Sequence, residues 1–153
     1  MDSRDLVGQM RQLGLWPQDD AGQRLAGALL RQHGQNATAL ARALLQRDLL
    51  TAYQANMLLT GKADRLLVGD YLVFERLGAG TMGQVYKARH RHHGRVVALK
   101  VLRREKVANR LSVERFFREI QVASRLTHPN LLRAFEAGQA RDTYFFAMQY
   151  VRA

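Results

Sequence analysis

LGAGTMGQVYKARHRHHGRVVALKVL, residues 77–102, decides the fold of the second half of the chain. Glycines at 78, 80 and 83 precede Val85. Glycine lets a backbone approach an anion closely and aim its N–H groups at it. The same glycine spacing occurs in dinucleotide-binding turns, which need a helix directly after the glycines and an acidic residue about 20 residues on. Here Val85 to Ala88 reads as a strand, and no acid occurs before Glu105. A P-loop is excluded as well, because no Gly-Lys-Ser/Thr closes the segment. A polar turn from Arg89 to Arg95, containing Gly94, then predicts a hairpin into Val96–Leu102, the most β-like run of the sequence. Within that run stands Lys100, with apolar neighbours on both sides. Burying an ammonium is costly unless it is paired. Lys100 therefore reads either as an edge lysine snorkelling to solvent or as one held for an anion and positioned by a carboxylate.

Working outward, Tyr71 to Leu77 reads as a strand before the glycines. Beyond Leu102, Ser112 precedes a helix through Leu126 that Pro129 stops. Leu131 to Ala137 and Thr143 to Val151 read as two further strands, joined by a turn with Gly138 and Asp142. The pattern predicts an α+β unit, an antiparallel sheet of five strands with one helix on it. In SVERFFREIQVASRL, Phe116, Ile120 and Ala123 form an apolar stripe, and Glu119 lies beside it. Glu114, nearer the helix start, reads as a charge complementing the dipole. Glu119, nineteen residues after Lys100, is the candidate carboxylate.

Residues 1–62 read as a small all-helical module, with 63–70 as linker. Leu6, Met10 and Leu13 recur at helical spacing before Pro17. Asp20 with Gln23 resembles a capping box for a helix ending at Gly34, Asn36 suits a cap for the next, and Thr51 with Gln54 resembles a second box before Gly61. His33 reads as a C-terminal helix residue favoured by the macrodipole, not as a ligand. With no polar cluster, the module is read as an interaction or regulatory element, for self-association or a protein partner. About sixty residues is marginal for independent stability.

The chain has 153 residues, 47% of them hydrophobic and 24% charged, and no cysteine. That excludes disulfides, Cys-ligated zinc, iron–sulfur clusters and thiol nucleophiles. No apolar run is long enough to span a membrane, and no h-region opens the chain, so a cytoplasmic protein is expected. The net charge of +11 is uneven: residues 70–153 hold sixteen basic and seven acidic side chains. A basic stretch from Lys87 to Lys106 raises nucleic-acid binding as an alternative. Tyr86 is the aromatic beside it, so stacking platforms are lacking and no nucleic-acid partner is expected.

Taken in order, these elements make residues 71–153 similar to the N-terminal lobe of a eukaryotic-like serine/threonine protein kinase of the bacterial branch. The glycine segment matches G-x-G-x-x-G-x-V, VALK matches the third-strand lysine motif, Glu119 falls at the helix glutamate, and His128-Pro129-Asn130 matches the loop after that helix. The resemblance implies that the backbone of Gly78, Gly80 and Gly83 folds over the phosphates of ATP, with Lys100 on the α- and β-phosphates and paired with Glu119. It further implies that Leu77, Val85 and Ala98 pack on adenine and that Met148 is the gatekeeper. The carbonyl of Gln149 and the N–H of Val151 would bond the adenine edge.

The family's H-R-D and D-F-G motifs, which supply the catalytic Asp and the magnesium ligands, are expected beyond Ala153, since the sequence reaches only the hinge. Ala140-Arg141-Asp142 is not H-R-D: position 147 is alanine where the motif needs asparagine. The chain is therefore expected not to transfer phosphate alone, and to be a shortened gene product or one half of a larger kinase whose substrates are proteins. A non-catalytic scaffold built on the same lobe is the alternative. Loss of a large lobe is expected to expose apolar surface near Phe145, Phe146 and Met148.

Overall fold

A computed structural model of the chain describes residues 1–80, 83–103, 114–116, 118, 134–140 and 143–150. Two units divide it, Met1–Leu67 and Val68–Ala153. The first holds α1 (Ser3–Leu13), α2 (Asp20–His33), α3 (Ala37–Gln46) and α4 (Ala52–Leu59), then a 3-10 turn at Ala63–Leu66. Each helix starts where a side chain can accept an orphan N–H. Asp2 and Asp5 form a reciprocal capping box on α1, and Thr51 with Gln54 forms the expected one on α4. Asn36 caps α3, accepting from Ala39 N–H. On α2 the cap is Asp19 and not Asp20: the Asp19 carboxylate accepts from Gly22 N–H, and the Gln23 amide instead donates to the Gln18 carbonyl. Leu6, Met10, Leu40, Leu44, Leu58 and Leu66 are fully buried, the stripes these helices turn inward.

Among the described residues, six strands rather than the expected five form one sheet: β1 (Leu67–Val68), β2 (Tyr71–Gly80), β3 (Gly83–His90), β4 (Val96–Arg103), β5 (Ala134–Ala140) and β6 (Thr143–Gln149). Their order is β1-β2-β3-β4-β6-β5. The additional strand lies in the stretch read as linker, where Val68 has an apolar side chain to bury and is 2% exposed. The pairs β2–β3, β3–β4, β4–β6 and β5–β6 are all antiparallel.

Opposed residues share a face, so the register sorts the sheet into two surfaces. Tyr86, Leu99 and Ala147 lie opposite one another on the first, with Ala88, Val97, Val101 and Phe145 beside them, all buried. This face closes on itself. Tyr71 on β2 and Phe145 on β6 are three strand spacings apart, roughly 14 Å in a flat sheet, yet their ring centroids are 5.8 Å apart. The Tyr71 hydroxyl also donates to Glu136 Oε2 on β5 at 2.7 Å. Burial, reinforced by that bond to a carboxylate, pushes the Tyr71 phenol well above its ordinary range. On β5, Gly138 lies opposite Phe145 in the ladder, and an added Cβ there would stand 2.8 Å from Phe145 Cζ.

The opposite face carries the helix. Glu114, Arg115, Phe116 and Arg118 are helical, and Phe116, fully buried, clusters with Leu102 and Phe146, joined by Tyr144 and Met148. Exposed apolar surface was expected near Phe145 and Phe146, but the two rings are themselves buried, 6% and 5% exposed. Consecutive strand residues point to opposite faces, so Phe145 fills the curl and Phe146 meets the helix.

The turn between β3 and β4 is held by imidazoles. His90 Nδ1 accepts the N–H groups of His92 and His93, and His93 Nδ1 accepts that of Arg95 at 3.2 Å. The rings of His90 and His93 stack at 3.7 Å, and His92 Nε2 lies 3.4 Å from Asp70. Desolvation under the stacked ring, then the charges of His90 and Arg95, lower the His93 pKa from its ordinary 6.5. A lowered imidazole pKa means the folded state binds fewer protons, so stability is full above 6.5 and falls as pH drops through the folded value. The expected result on acidification is a lower protection factor at Arg95 N–H, the exchange rate being corrected for its intrinsic pH dependence, with His93 titrating below 6.5 in an NMR titration. A His93 titration above 6.5 contradicts this.

Candidate functional site

The glycine segment is a hairpin. Gly78 pairs with Val85, Ala79 with Gln84 and Gly80 with Gly83, while Thr81 and Met82 at its tip lie outside the described residues. Gly78 does not adopt a positive φ, so its lack of a side chain serves another purpose. A Cβ built there meets nothing within 4 Å, and the space over the strand stays open for close approach. A register shift between Arg76 and Gly78 makes Leu77 the extra residue of a β-bulge, and its side chain is 43% exposed.

Lys100 lies opposite Val85 on one side and Phe146 on the other. Two residues before it, Ala98 lies opposite Lys87 and Met148. The alternation of strand faces thus brings Gly78, Val85, Ala98, Lys100 and Met148 onto the face that also carries Phe116 of the helix. Ala98 is 8% exposed, and Val85, Lys100 and Met148 are half-buried. The result is an apolar floor carrying Lys100, with Lys87 farther along the same face and a glycine hairpin along its β2–β3 side. A flat heterocycle fits the floor and a phosphate fits the Lys100 ammonium.

Of the other expected residues, Gln149 is exposed and closes the β6 ladder opposite Val97, leaving its backbone at the end of the same strand. Glu119, Val151 and the segment His128 to Asn130 lie outside the described residues. The structure adds a contact that the sequence reading did not anticipate: Lys87 Nζ lies over the Tyr150 ring, 5.0 Å from its centroid. The signal was present in the period-2 spacing, since Lys87 follows Val85 by two residues and Tyr150 follows Met148 by two. Among the described residues no group of three His, Asp or Glu side chains could hold a metal ion, and no helix is long and apolar enough to cross a membrane.

An antiparallel sheet with a glycine-rich hairpin, a lysine on its central strand and one helix on the same face defines the small lobe of a protein kinase. Residues 71–153, more than half of the chain, match the protein kinase domain family, and the chain belongs to it. It is 45% identical over 82 residues to serine/threonine-protein kinase pkn3 of Myxococcus xanthus, covering 53% of this chain and 15% of that protein. Over 87 residues it is 37% identical to CBL-interacting serine/threonine-protein kinase 19 of Arabidopsis thaliana, covering 57% and 18%. Over 80 residues it is 38% identical to NUAK family SNF1-like kinase 1 of Mus musculus, covering 52% and 12%. The chain therefore spans less than a fifth of the length of these relatives. Members of the family use ATP and magnesium.

Proposed function

We propose that this chain supplies the ATP-binding small lobe of a kinase that phosphorylates serine or threonine of proteins. One observation carries the reading: Lys100 shares its sheet face with Val85, Ala98 and Met148 beside a glycine hairpin that leaves that face open. In this reading Lys100 holds the α- and β-phosphates, Val85 and Ala98 cover the adenine with Leu77 at its outer side, and Met148 closes the inner end. The Gln149 carbonyl and the Val151 N–H bond the adenine edge. Glu119 follows Phe116 by three residues, the sequence spacing at which two helical residues share a side. Lys100 and Glu119 together prepare the triphosphate. Magnesium and the substrate hydroxyl would be held by H-R-D and D-F-G residues, motifs this sequence does not contain. The reaction belongs where ATP is made available, in the cytoplasm, and the helical unit serves a protein partner or a second copy.

Titration of ATP into the native chain and into Lys100→Met tests the reading. Methionine keeps the apolar stem and removes the charge. A charge-assisted hydrogen bond contributes about 1.5–3 kcal/mol, so ATP affinity is expected to fall roughly 10- to 100-fold. Equal affinities contradict the assignment. A chain that binds no ATP at all supports the non-catalytic scaffold instead.

A further inference from the structure

The ladder of β6 ends at the pair Gln149–Val97, so strand pairing does not fix the backbone of Tyr150. Tyr150 is the next residue, half-buried, and its ring lies under the ammonium of Lys87. Lys87 projects from β3 on the face of Ala98 and Met148. Its partner on β4 is Ala98, whose side chain is a single methyl group. Cation and ring thus bridge two strands that are not neighbours in the sheet.

We propose that Lys87 is a positioning residue for adenine recognition. Holding the Tyr150 ring fixes the peptide joining Gln149 to Tyr150, and the carbonyl of that peptide is the group assigned above to the adenine edge. This inference rests on the ATP-site reading of the same face and adds to it a contact made to protein rather than to nucleotide. A cation over an aromatic face is a modest attraction, stronger when partly desolvated. The effect on binding is accordingly three- to tenfold, about a decade at most. The contact orders adenine and not phosphate, so it acts on any ligand that carries the base.

Adenosine and ATP together separate the roles. With the full chain in a calorimetric or NMR titration, Lys87→Met is expected to weaken both ligands by the same factor, about three- to tenfold. Tyr150→Leu should reproduce that loss, and the double variant should be no worse than either single one. Lys87→Arg and Tyr150→Phe keep a cation and a ring and should restore native affinity. Lys100→Met should weaken ATP alone, since adenosine has no phosphate for it to hold. If Lys87→Met weakens ATP but not adenosine, Lys87 acts as a distant charge and the inference is overturned. If neither ligand responds to Lys87→Met while ATP still responds to Lys100→Met, the inference fails and the ATP site stands. If ATP ignores Lys100→Met, the ATP-site reading itself fails.

Discussion

Phe116→Ala is expected to remove about 3–5 kcal/mol from the stability of the second unit, the range for truncating a fully buried aromatic. Phe116 is 0% exposed and fills the contact between its helix and Leu102 and Phe146. The truncation leaves a cavity against a sheet whose other face is already filled by Tyr86, Leu99 and Ala147, so the strands have little room to collapse into it. Domains of this size hold about 5–15 kcal/mol in all, and each kcal/mol moves the midpoint by roughly 4–8 °C. Urea denaturation of Phe116→Ala beside Arg118→Ala measures the difference. Arg118 is exposed on the same helix, and its truncation should stay within about 0.5 kcal/mol. Equal costs for the two variants would remove Phe116 as the anchor of the helix.

Gly138→Ala is the second large effect, expected to cost about 1–3 kcal/mol by overpacking. Gly138 lies opposite Phe145, and an added Cβ would stand 2.8 Å from Phe145 Cζ and 3.1 Å from Cε1. Two neighbours restrict that ring. Tyr71 meets it edge-on from β2, and Gly69 lies close enough that a Cβ there would contact Cε1 at 3.4 Å. The Tyr71 hydroxyl is itself committed to Glu136. Phe145→Leu, which shortens the obstructing side chain, should partly rescue Gly138→Ala in the double variant, a coupling that only residues in contact show. Independent, additive effects would mean that the curl of the sheet is looser than the contacts between β2, β5 and β6 require.

Much of this was legible in the sequence, for physical reasons that also mark its limits. Alternation put Ala98 and Lys100 on one face of β4, and the ladder then aligned them with Met148 and Val85. Strand ends were harder to read. β2 extends to Gly80 and β3 starts at Gly83 because the glycines pair across the hairpin, a ladder effect that overrides glycine's weak strand preference. The curl was invisible, because it depends on bulges between Val73 and Glu75, between Arg76 and Gly78, and between Ala134 and Glu136 that no local pattern announces. Cap residues one position apart, such as Asp19 and Asp20, compete on equal chemistry. The Lys87–Tyr150 contact joins residues sixty-three positions apart, and only the sheet order brings them together.

The central claim is that a triphosphate is held on the Lys100 face of the sheet. A structure of the chain with a non-hydrolysable ATP analogue tests it most directly. The account predicts α- or β-phosphate oxygens at hydrogen-bonding distance, about 2.8 Å, from Lys100 Nζ, beneath the Gly78–Gly83 hairpin and with adenine against Ala98. Phosphate density on the arginines and histidines of the turn at 89–95, with the Lys100 face empty, would contradict it.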